Sequence, residues 1–392
     1  MRRSQLSRLV LAVSPGILLT YSLFRNSWDW ALFPTMSPRF ADLRMITRTA
    51  DCVSAGNWSM ESETCDLWNR AYNYPPVWAE LFSLLRLGNN QTSLIGFLLG
   101  LLVIATFAFM ALRVARENVG LLSLVAVSAA SVSPPIAILI ERGNTESVIL
   151  LLTLLAALLS VKSRLGAIVV AAIAAGLKIF PILVGLHYFR TRRNWWEPTF
   201  FTVLALVLMV PAVRSIDLIT ERTPYTSEYS FGASVTMAVF WPEVLEAERY
   251  LLLPVNLGAT LALGSAVFWI LKSEIRSAVA KLQAEPFVSS QFTLCALVFL
   301  GTYLSGTRFD YSLCFLVPIV VSIALSRSTN FVMICTQGLI FVSMWGSYFG
   351  RAIPNERNPI ADLAATGVAA VLVAIQIANF FDRRPVGDPC RL

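Results

Sequence analysis

The sequence predicts an all-α polytopic membrane protein. About ten transmembrane helices, a re-entrant pair of half-helices and a long polar loop after the first helix make up a single integral membrane domain over residues 1–392. Three observations predict this class. Hydrophobic residues make up 56% of the chain and charged residues only 14%, against about 25% charged in a typical soluble domain. Apolar runs long enough to cross a hydrocarbon core of about 30 Å recur from end to end. The basic residues behind the net charge of +7 are spread between those runs, as topology signals are. They form no single patch, which argues against a nucleic-acid partner.

The first span covers about Leu9 to Phe24, and no small-residue cleavage site comes after it, so it reads as an uncleaved helix. The long polar loop occupies residues 25–92. Further spans are expected at about Ser93–Leu112, Gly120–Ile140, Glu146–Val161, Thr199–Val213, Leu251–Leu271, Phe287–Leu304, Ser312–Leu325, Asn330–Phe349 and Asp362–Phe381. Arg2, Arg3, Arg8, Arg113, Arg116, Lys162, Arg164, Arg190, Arg192, Arg193, Lys272, Arg276, Lys281, Arg327, Arg383 and Arg384 all fall on one side if both termini are cytoplasmic, as the positive-inside rule asks. That assignment requires Leu165–Phe189 to start and finish on the same side. The segment is too short for two crossings of about 20 residues each. A pair of half-helices broken near Gly176–Pro181 satisfies the charges; one long tilted crossing is the alternative and would flip everything downstream.

The six cysteines divide by place. Cys295, Cys314 and Cys335 lie in apolar runs as packing residues, and Cys390 is in the tail. Cys52 and Cys65 share the polar loop, where they either pair, closing a short loop worth about 3 kcal/mol, or remain two free thiols. No Cys/His spacing suggests a metal site. His187, the only histidine, sits in an apolar run, poorly placed for a histidine-dependent triad.

Chemistry is expected on the face opposite the basic residues, where most carboxylates gather. Carboxylates beside arginines at a bilayer surface suit proton transfer together with binding of an anionic head group. Four pieces stand out. FADLRMITRTADCVSAGN (residues 40–57) has apolar residues at roughly helical spacing, with Asp42 and Arg44 near its start. YNYPPVW ends the loop on a Pro-Pro turn that stops any upstream helix and leads into a short one. ERGNTES is a tight charged turn that leaves Asn144 and Glu146 at the membrane surface. RFDYS carries Arg308, Asp310 and Tyr311, with Lys178 as a companion from the broken segment. A lysine within apolar sequence is functional by default, unless it snorkels to the interface.

The order of these pieces resembles glycosyltransferase family 87, the polyprenol-phosphate-mannose-dependent α-mannosyltransferases of the glycosyltransferase C superfamily. The matching residues are Asp42-Leu43-Arg44, Gly56, Tyr72-Asn73-Tyr74-Pro75-Pro76, Gly143-Asn144, Lys178-Ile179-Phe180-Pro181, and Arg308-Phe309-Asp310-Tyr311 ahead of Pro318. Leu43 replaces the aromatic residue usual after the loop aspartate, and the Cys52/Cys65 pair is additional; both departures bear on the acceptor.

The resemblance implies a glycosyltransferase C-like fold and an inverting transfer. The sugar, mannose by this likeness, moves from a polyprenyl-phosphate donor to a hydroxyl of a glycan or glycolipid on the extracytoplasmic face of a bacterial plasma membrane. Asp42 is implied as general base. Arg308, then Lys178 and Arg44, are implied as ligands of the leaving phosphate. Tyr74, Asn144, Glu146, Asp310 and Tyr311 line the pocket. No cofactor or metal is called for, and the partners are the lipid donor, the acceptor and membrane lipid. Two other classes fit parts of the pattern. A lipid-linked sugar transporter or flippase would use the broken helix, and a surface-glycan polymerase or ligase would share the large outer loop.

Overall fold

The computed structural model describes residues 3–31, 33–60, 64–117, 119–191, 194–222, 230–233, 236, 249–305, 308–328, 330–349 and 359–381. Helices build nearly all of it. The first ten are α1 (Arg3–Arg25), α2 (Ala41–Ser54), α3 (Pro76–Leu84), α4 (Thr92–Arg116), α5 (Leu121–Ser131), α6 (Pro134–Arg142), α7 (Glu146–Lys162), α8 (Arg164–Leu177), α9 (Gly185–Thr191) and α10 (Trp196–Arg214). Later come Arg249–Ile270, Lys272–Gln283, Pro286–Leu304, Leu316–Leu325, Phe331–Phe349 and Pro359–Phe381. A two-residue antiparallel pairing joins Ser230 to Phe309 and Phe231 to Arg308.

The chain is a polytopic membrane protein. Among the described residues, six helices are long and apolar enough to cross a bilayer: Gln5–Arg25, Asn89–Arg116, Leu121–Arg142, Trp196–Arg214, Pro286–Leu304 and Pro359–Phe381. A seventh span results if Pro254–Ile270 and Lys272–Gln283, bent by 95°, count as one. This is fewer than the ten full spans expected from apolar length. Two of the other expected spans are continuous but shorter apolar helices, Glu146–Lys162 and Phe331–Gly346, and some runs are interrupted. The run expected at Ser312–Leu325, for example, opens as a 3-10 segment, Asp310–Phe315, before the helix begins at Leu316.

The broken segment has a clear course. α8 ends at Lys178, whose backbone is extended (φ −150°, ψ 138°), and a 3-10 turn over Phe180–Val184 leads into α9. At the far end the Arg164 guanidinium donates to Thr191 Oγ1 at 3.0 Å, so the segment begins and ends side by side. Arg164 also pairs with Glu197 at 2.8 Å, which starts α10 alongside the start of α8. Near the other end, a Cβ on Gly176 would lie 2.6 Å from Leu208 Cβ, so α8 and α10 run parallel in close contact. The break itself is covered. Trp78 Nε1 of α3 donates to the Leu177 carbonyl at 3.0 Å, satisfying a group that the helix end leaves without an intrahelical partner.

The loop after α1 is pinned at the α6–α7 turn. The Phe40 amide donates to the Glu141 carbonyl at 3.1 Å, and the Met36 amide to Glu141 Oε1 at 2.9 Å. Phe40 holds a left-handed conformation (φ 59°, ψ 47°) at the start of α2. That conformation is rare for a bulky residue. Its ring fills the space where Gly96 of α4 has no side chain: a Cβ there would sit 2.5 Å from Phe40 Cγ. Gly143, left-handed at the end of α6, likewise leaves room for Phe40 and Leu43, whose Cβ atoms would each lie 3.2 Å from a Cβ at that position. A disulfide joins Cys52, near the end of α2, to Cys65, with Cα atoms 6.2 Å apart.

Gly301 lies against the carbonyl of Phe180, two residues past Lys178, and a Cβ there would collide with that backbone oxygen. Gly301→Ala is expected to destabilise the protein by about 1–3 kcal/mol, because a backbone atom cannot rotate away as a side chain does. Thermal unfolding in detergent, wild type against variant, measures it.

Candidate active site

Five of the residues singled out in the sequence meet at one end of the bundle. Asp42 sits in the first turn of α2, held there by the Phe40 wedge. Asn144 lies in the α6–α7 turn, Glu146 opens α7, Lys178 ends α8, and Tyr74 precedes the Pro-Pro start of α3. Asn144 is fully buried and connects them. Its Nδ2 donates to Asp42 Oδ2 at 2.6 Å and to the Tyr74 hydroxyl at 3.0 Å, while its Oδ1 accepts from the Glu146 amide at 2.9 Å. The backbone donor fixes which way the amide points, since only the oxygen can accept it.

Lys178 Nζ donates to Glu146 Oε1 at 2.7 Å, and the same oxygen accepts from Ser312 Oγ at 3.2 Å. The ammonium lies 5.6 Å from the ring centroid of Tyr74 and 5.8 Å from that of Phe180, within the range of cation–π attraction. The lysine expected as either functional or snorkelling is thus turned inward to a carboxylate. Burial raises the Tyr74 hydroxyl well above its ordinary pKa, and the nearby Asp42 charge raises it further. The phenol therefore stays neutral, able to accept from Asn144 and to donate.

Arg70 is the residue beside Asp42 that sequence reading missed. Its Nη2 donates to the Ala41 carbonyl at 2.7 Å and its Nη1 faces Asp42 Oδ1 at 3.5 Å. A bidentate contact with Asp66, Nε to Oδ2 at 3.0 Å and Nη2 to Oδ1 at 3.1 Å, fixes the guanidinium plane. Asp66 also accepts from the Trp68 and Arg70 amides. Burial pushes the Asp66 carboxyl up, but the Arg70 hydrogen bond and charge with the two amides outweigh it and hold the group below its ordinary value. Burial likewise opposes the Arg70 charge, and Asp66 and Asp42 together overcome it. The available signal was the spacing of Asp66 and Arg70, four residues apart ahead of the Pro-Pro turn.

The other expected residues divide: Arg44 points away from the cluster, whereas Tyr311 is close enough to help raise the Tyr74 pKa. Arg44 is not a companion of Asp42: it donates to Asn89 Oδ1 at 2.8 Å. Residues two apart on a helix do not share a face, so neighbours in sequence point to different sides of α2. Asp310 is buried and accepts from the Tyr348 hydroxyl at 3.1 Å; Tyr311 comes next in the same 3-10 segment, half-buried. The backbone of Arg308 enters the small strand pairing, while its side chain lies outside the described residues. Among the described residues, no group of three or more His, Cys, Asp or Glu side chains is gathered as a metal site would need. A surface cavity of about 240 Å³ opens against Asp51, Phe82, Arg86 and Asn89–Gln91. Asp51 lies nine residues beyond Asp42, half a turn out of phase at 3.6 residues per turn, so this cavity is on the other face of α2.

The family model of glycosyltransferase family 87 matches residues 72–284, more than half of the 392-residue chain. The chain belongs to glycosyltransferase family 87. It is therefore a membrane glycosyltransferase, an enzyme with a sugar donor and an acceptor. The match includes Tyr74, Asn144, Glu146 and Lys178; Asp42 and Arg308 lie outside it. No curated protein and no solved structure matches the chain.

Asp66 has a depressed folded-state pKa, so its contribution is complete above the ordinary Asp value of about 4 and lost as pH falls through the lower folded value. Protease resistance of the loop around residues 60–75 is expected to hold from neutral pH to about pH 4 and to drop only below it. Arg70→Ala should make the same loop labile at pH 7, since it leaves the buried Asp66 carboxylate without its main partner, at about 1–3 kcal/mol. Limited proteolysis across a pH series, with both proteins, measures the two effects.

Proposed function

We propose that this glycosyltransferase moves a hexose, mannose by the family resemblance of its motifs, from a polyprenyl phosphate to a hydroxyl of a glycan or glycolipid acceptor. One observation carries the reading: Asp42, joined through Asn144 to Tyr74, lies in the same cluster as Lys178, whose ammonium sits 5.6 Å from the Tyr74 ring centroid. A carboxylate and a cation held in one rigid group, at the end of several apolar helices, suit a reaction between a lipid-anchored phosphate ester and a hydroxyl. The Asp42 side chain retains 14% exposure, which leaves it open to an incoming hydroxyl.

In this mechanism Asp42 takes the proton of the acceptor hydroxyl as its oxygen attacks the anomeric carbon. The bond from that carbon to the phosphate oxygen breaks, the electron pair leaves with the phosphate, and attack from the opposite face inverts the centre. Lys178, with Arg308 as its expected companion, stabilises the charge growing on the phosphate. Arg70 keeps Asp42 in place through Ala41 and Asp66, and Tyr74-Pro75-Pro76 fixes where the loop turns into α3.

Charge supports one orientation in the membrane. α4 and α7 both start at the cluster end and run away from it. The opposite end gathers Arg113 with Glu285, Arg327 with Glu117, Arg8 with the Val119 carbonyl, and Arg164 with Glu197. Under the positive-inside rule that end is cytoplasmic, which puts the cluster on the extracytoplasmic face and makes Leu165–Phe189 re-entrant from the cytoplasmic side.

Asp42→Asn is expected to lower transfer from a radiolabelled polyprenyl-phosphate mannose by about 10²–10⁴-fold, the usual worth of a general base, with unchanged thermal stability in detergent. Full activity in that variant removes Asp42 as base. Binding of the donor by the wild type without transfer or slow hydrolysis would instead favour a transporter.

A further inference from the structure

The carboxylate of Glu146 is used on one side only. Oε1 accepts from Lys178 Nζ and from Ser312 Oγ. Oε2 is buried and, among the described residues, accepts no hydrogen bond; the residue as a whole is 1% exposed. A buried carboxylate oxygen with no donor calls for a specific explanation. The α6–α7 turn does not supply one. The Glu146 amide is already committed to Asn144 Oδ1, and the Asn144 amide hydrogens go to Asp42 and Tyr74.

We propose that Glu146 Oε2 is the acceptor for one ring hydroxyl of the transferred sugar, which makes Glu146 a specificity-determining residue. This rests on the transfer reaction of the proposed function. The chemical class comes from what the oxygen needs and what lies beside it. A carboxylate oxygen takes only donors. The other oxygen of the same group holds Lys178, the cation assigned to the donor phosphate. The group bonded directly to that phosphate is the sugar, through its anomeric carbon, and it arrives carrying several O–H donors. A phosphate or a carboxylate ligand brings no such donor, and an alkyl chain brings none at all. Ser312 and Lys178 hold Oε1 from two sides, so the carboxylate plane is set before the sugar arrives, and Oε2 does not have to be reoriented to meet it.

The consequence is selective. A site built to hydrogen-bond a hydroxyl rejects an analogue lacking it far more strongly than an apolar pocket rejects a missing methylene. One hydroxyl on the transferred hexose is therefore read by Glu146, and the others are not.

The test uses the full-length enzyme in detergent with polyprenyl-phosphate mannose and its four mono-deoxy analogues, at the 2, 3, 4 and 6 positions. Wild type is expected to use one of the four about 10²-fold less well in kcat/KM than the parent donor, beyond its effect on the others. Glu146→Gln keeps an oxygen for Lys178 and Ser312 and replaces the open acceptor with an amide that donates. It is expected to lose the discrimination, with the parent donor falling to the level of the disfavoured deoxy donor. Equal use of all four deoxy donors by wild type overturns the subsite, whether or not the variant folds. So does a Glu146→Gln enzyme that is slower by one common factor on every donor, since that is the pattern of a residue acting only through Lys178. Wild type that transfers no sugar from any of these donors overturns the donor assignment and the subsite with it, which separates the two failures.

Discussion

One buried amide determines how the loop meets the bundle. Asn144 commits both of its amide hydrogens to the loop, one to Asp42 and one to Tyr74, and its oxygen to the first backbone amide of α7. Because the oxygen is held by Glu146, the side chain cannot flip without leaving a buried donor and acceptor unsatisfied, each a loss of about 1–3 kcal/mol. Asp42 enters from the start of the loop and Tyr74 from its end. The amide therefore joins two points 32 residues apart in sequence to the same helix terminus. The geometry of the proposed base is in this sense a property of the bundle, although its carboxylate belongs to the loop.

The amide holds that position because the backbone around it has been made to fit. Phe40 accepts an uncommon left-handed conformation, and two glycines from different helices, Gly96 and Gly143, leave the space that its ring and Cβ occupy. A side chain at either glycine would push Phe40 outward and carry Asp42, two residues later, away from Asn144. The cost of about 1–3 kcal/mol for a strained residue is offset by burial of the phenyl ring, which is only 1% exposed. The strain and the two glycines form one device, and the device registers α2 against the α6–α7 turn.

Much of the site was legible in the sequence, but as separate pieces. Asp42, Tyr74, Asn144, Glu146 and Lys178 were each marked by a local anomaly: an acid at a helix start, a Pro-Pro turn, a polar turn between apolar runs, a lysine in oil. Their meeting was not legible from composition or period, because it depends on α2 packing against a turn a hundred residues away. Arg70 was hidden for the opposite reason. The loop contains several arginines, and the four-residue spacing of Asp66 and Arg70 is the one local mark of the arginine that reaches Ala41 and Asp66. Arg44 is misplaced by sequence alone because its closeness to Asp42 along the chain is not closeness in space, which helical geometry denies to residues two apart. Apolar length marks where the chain is apolar and not whether its backbone is one continuous helix, as the 3-10 opening of the Ser312–Leu325 run shows. Lys178 shows the same limit at a smaller scale: the break after Leu177 was visible from Gly176 and Pro181, but the indole of Trp78 that caps it was not.

Charge balance explains why a lysine is tolerated at the end of α8 and how it can act on a substrate. An unpaired buried ammonium would carry a desolvation penalty of several kcal/mol, and Glu146 removes it by pairing at 2.7 Å. The pair is neutral as a unit, so it does not by itself draw an anion. Its contribution to the proposed donor is orientation. The ammonium is held against the faces of Tyr74 and Phe180 by a carboxylate that Ser312 also grips, so its position does not have to be found when the phosphate arrives. The phosphodiester of the donor enters such a low-dielectric group with one negative charge, and it interacts with a fixed cation more strongly than with a solvated one. The interaction grows as charge accumulates on the departing oxygen, which is the condition for it to accelerate the reaction and not merely to tighten binding. Glu146 then has two separate duties on its two oxygens. Oε1 stabilises the Lys178 charge inside the protein, and Oε2 is the proposed contact for the sugar that the phosphate carries.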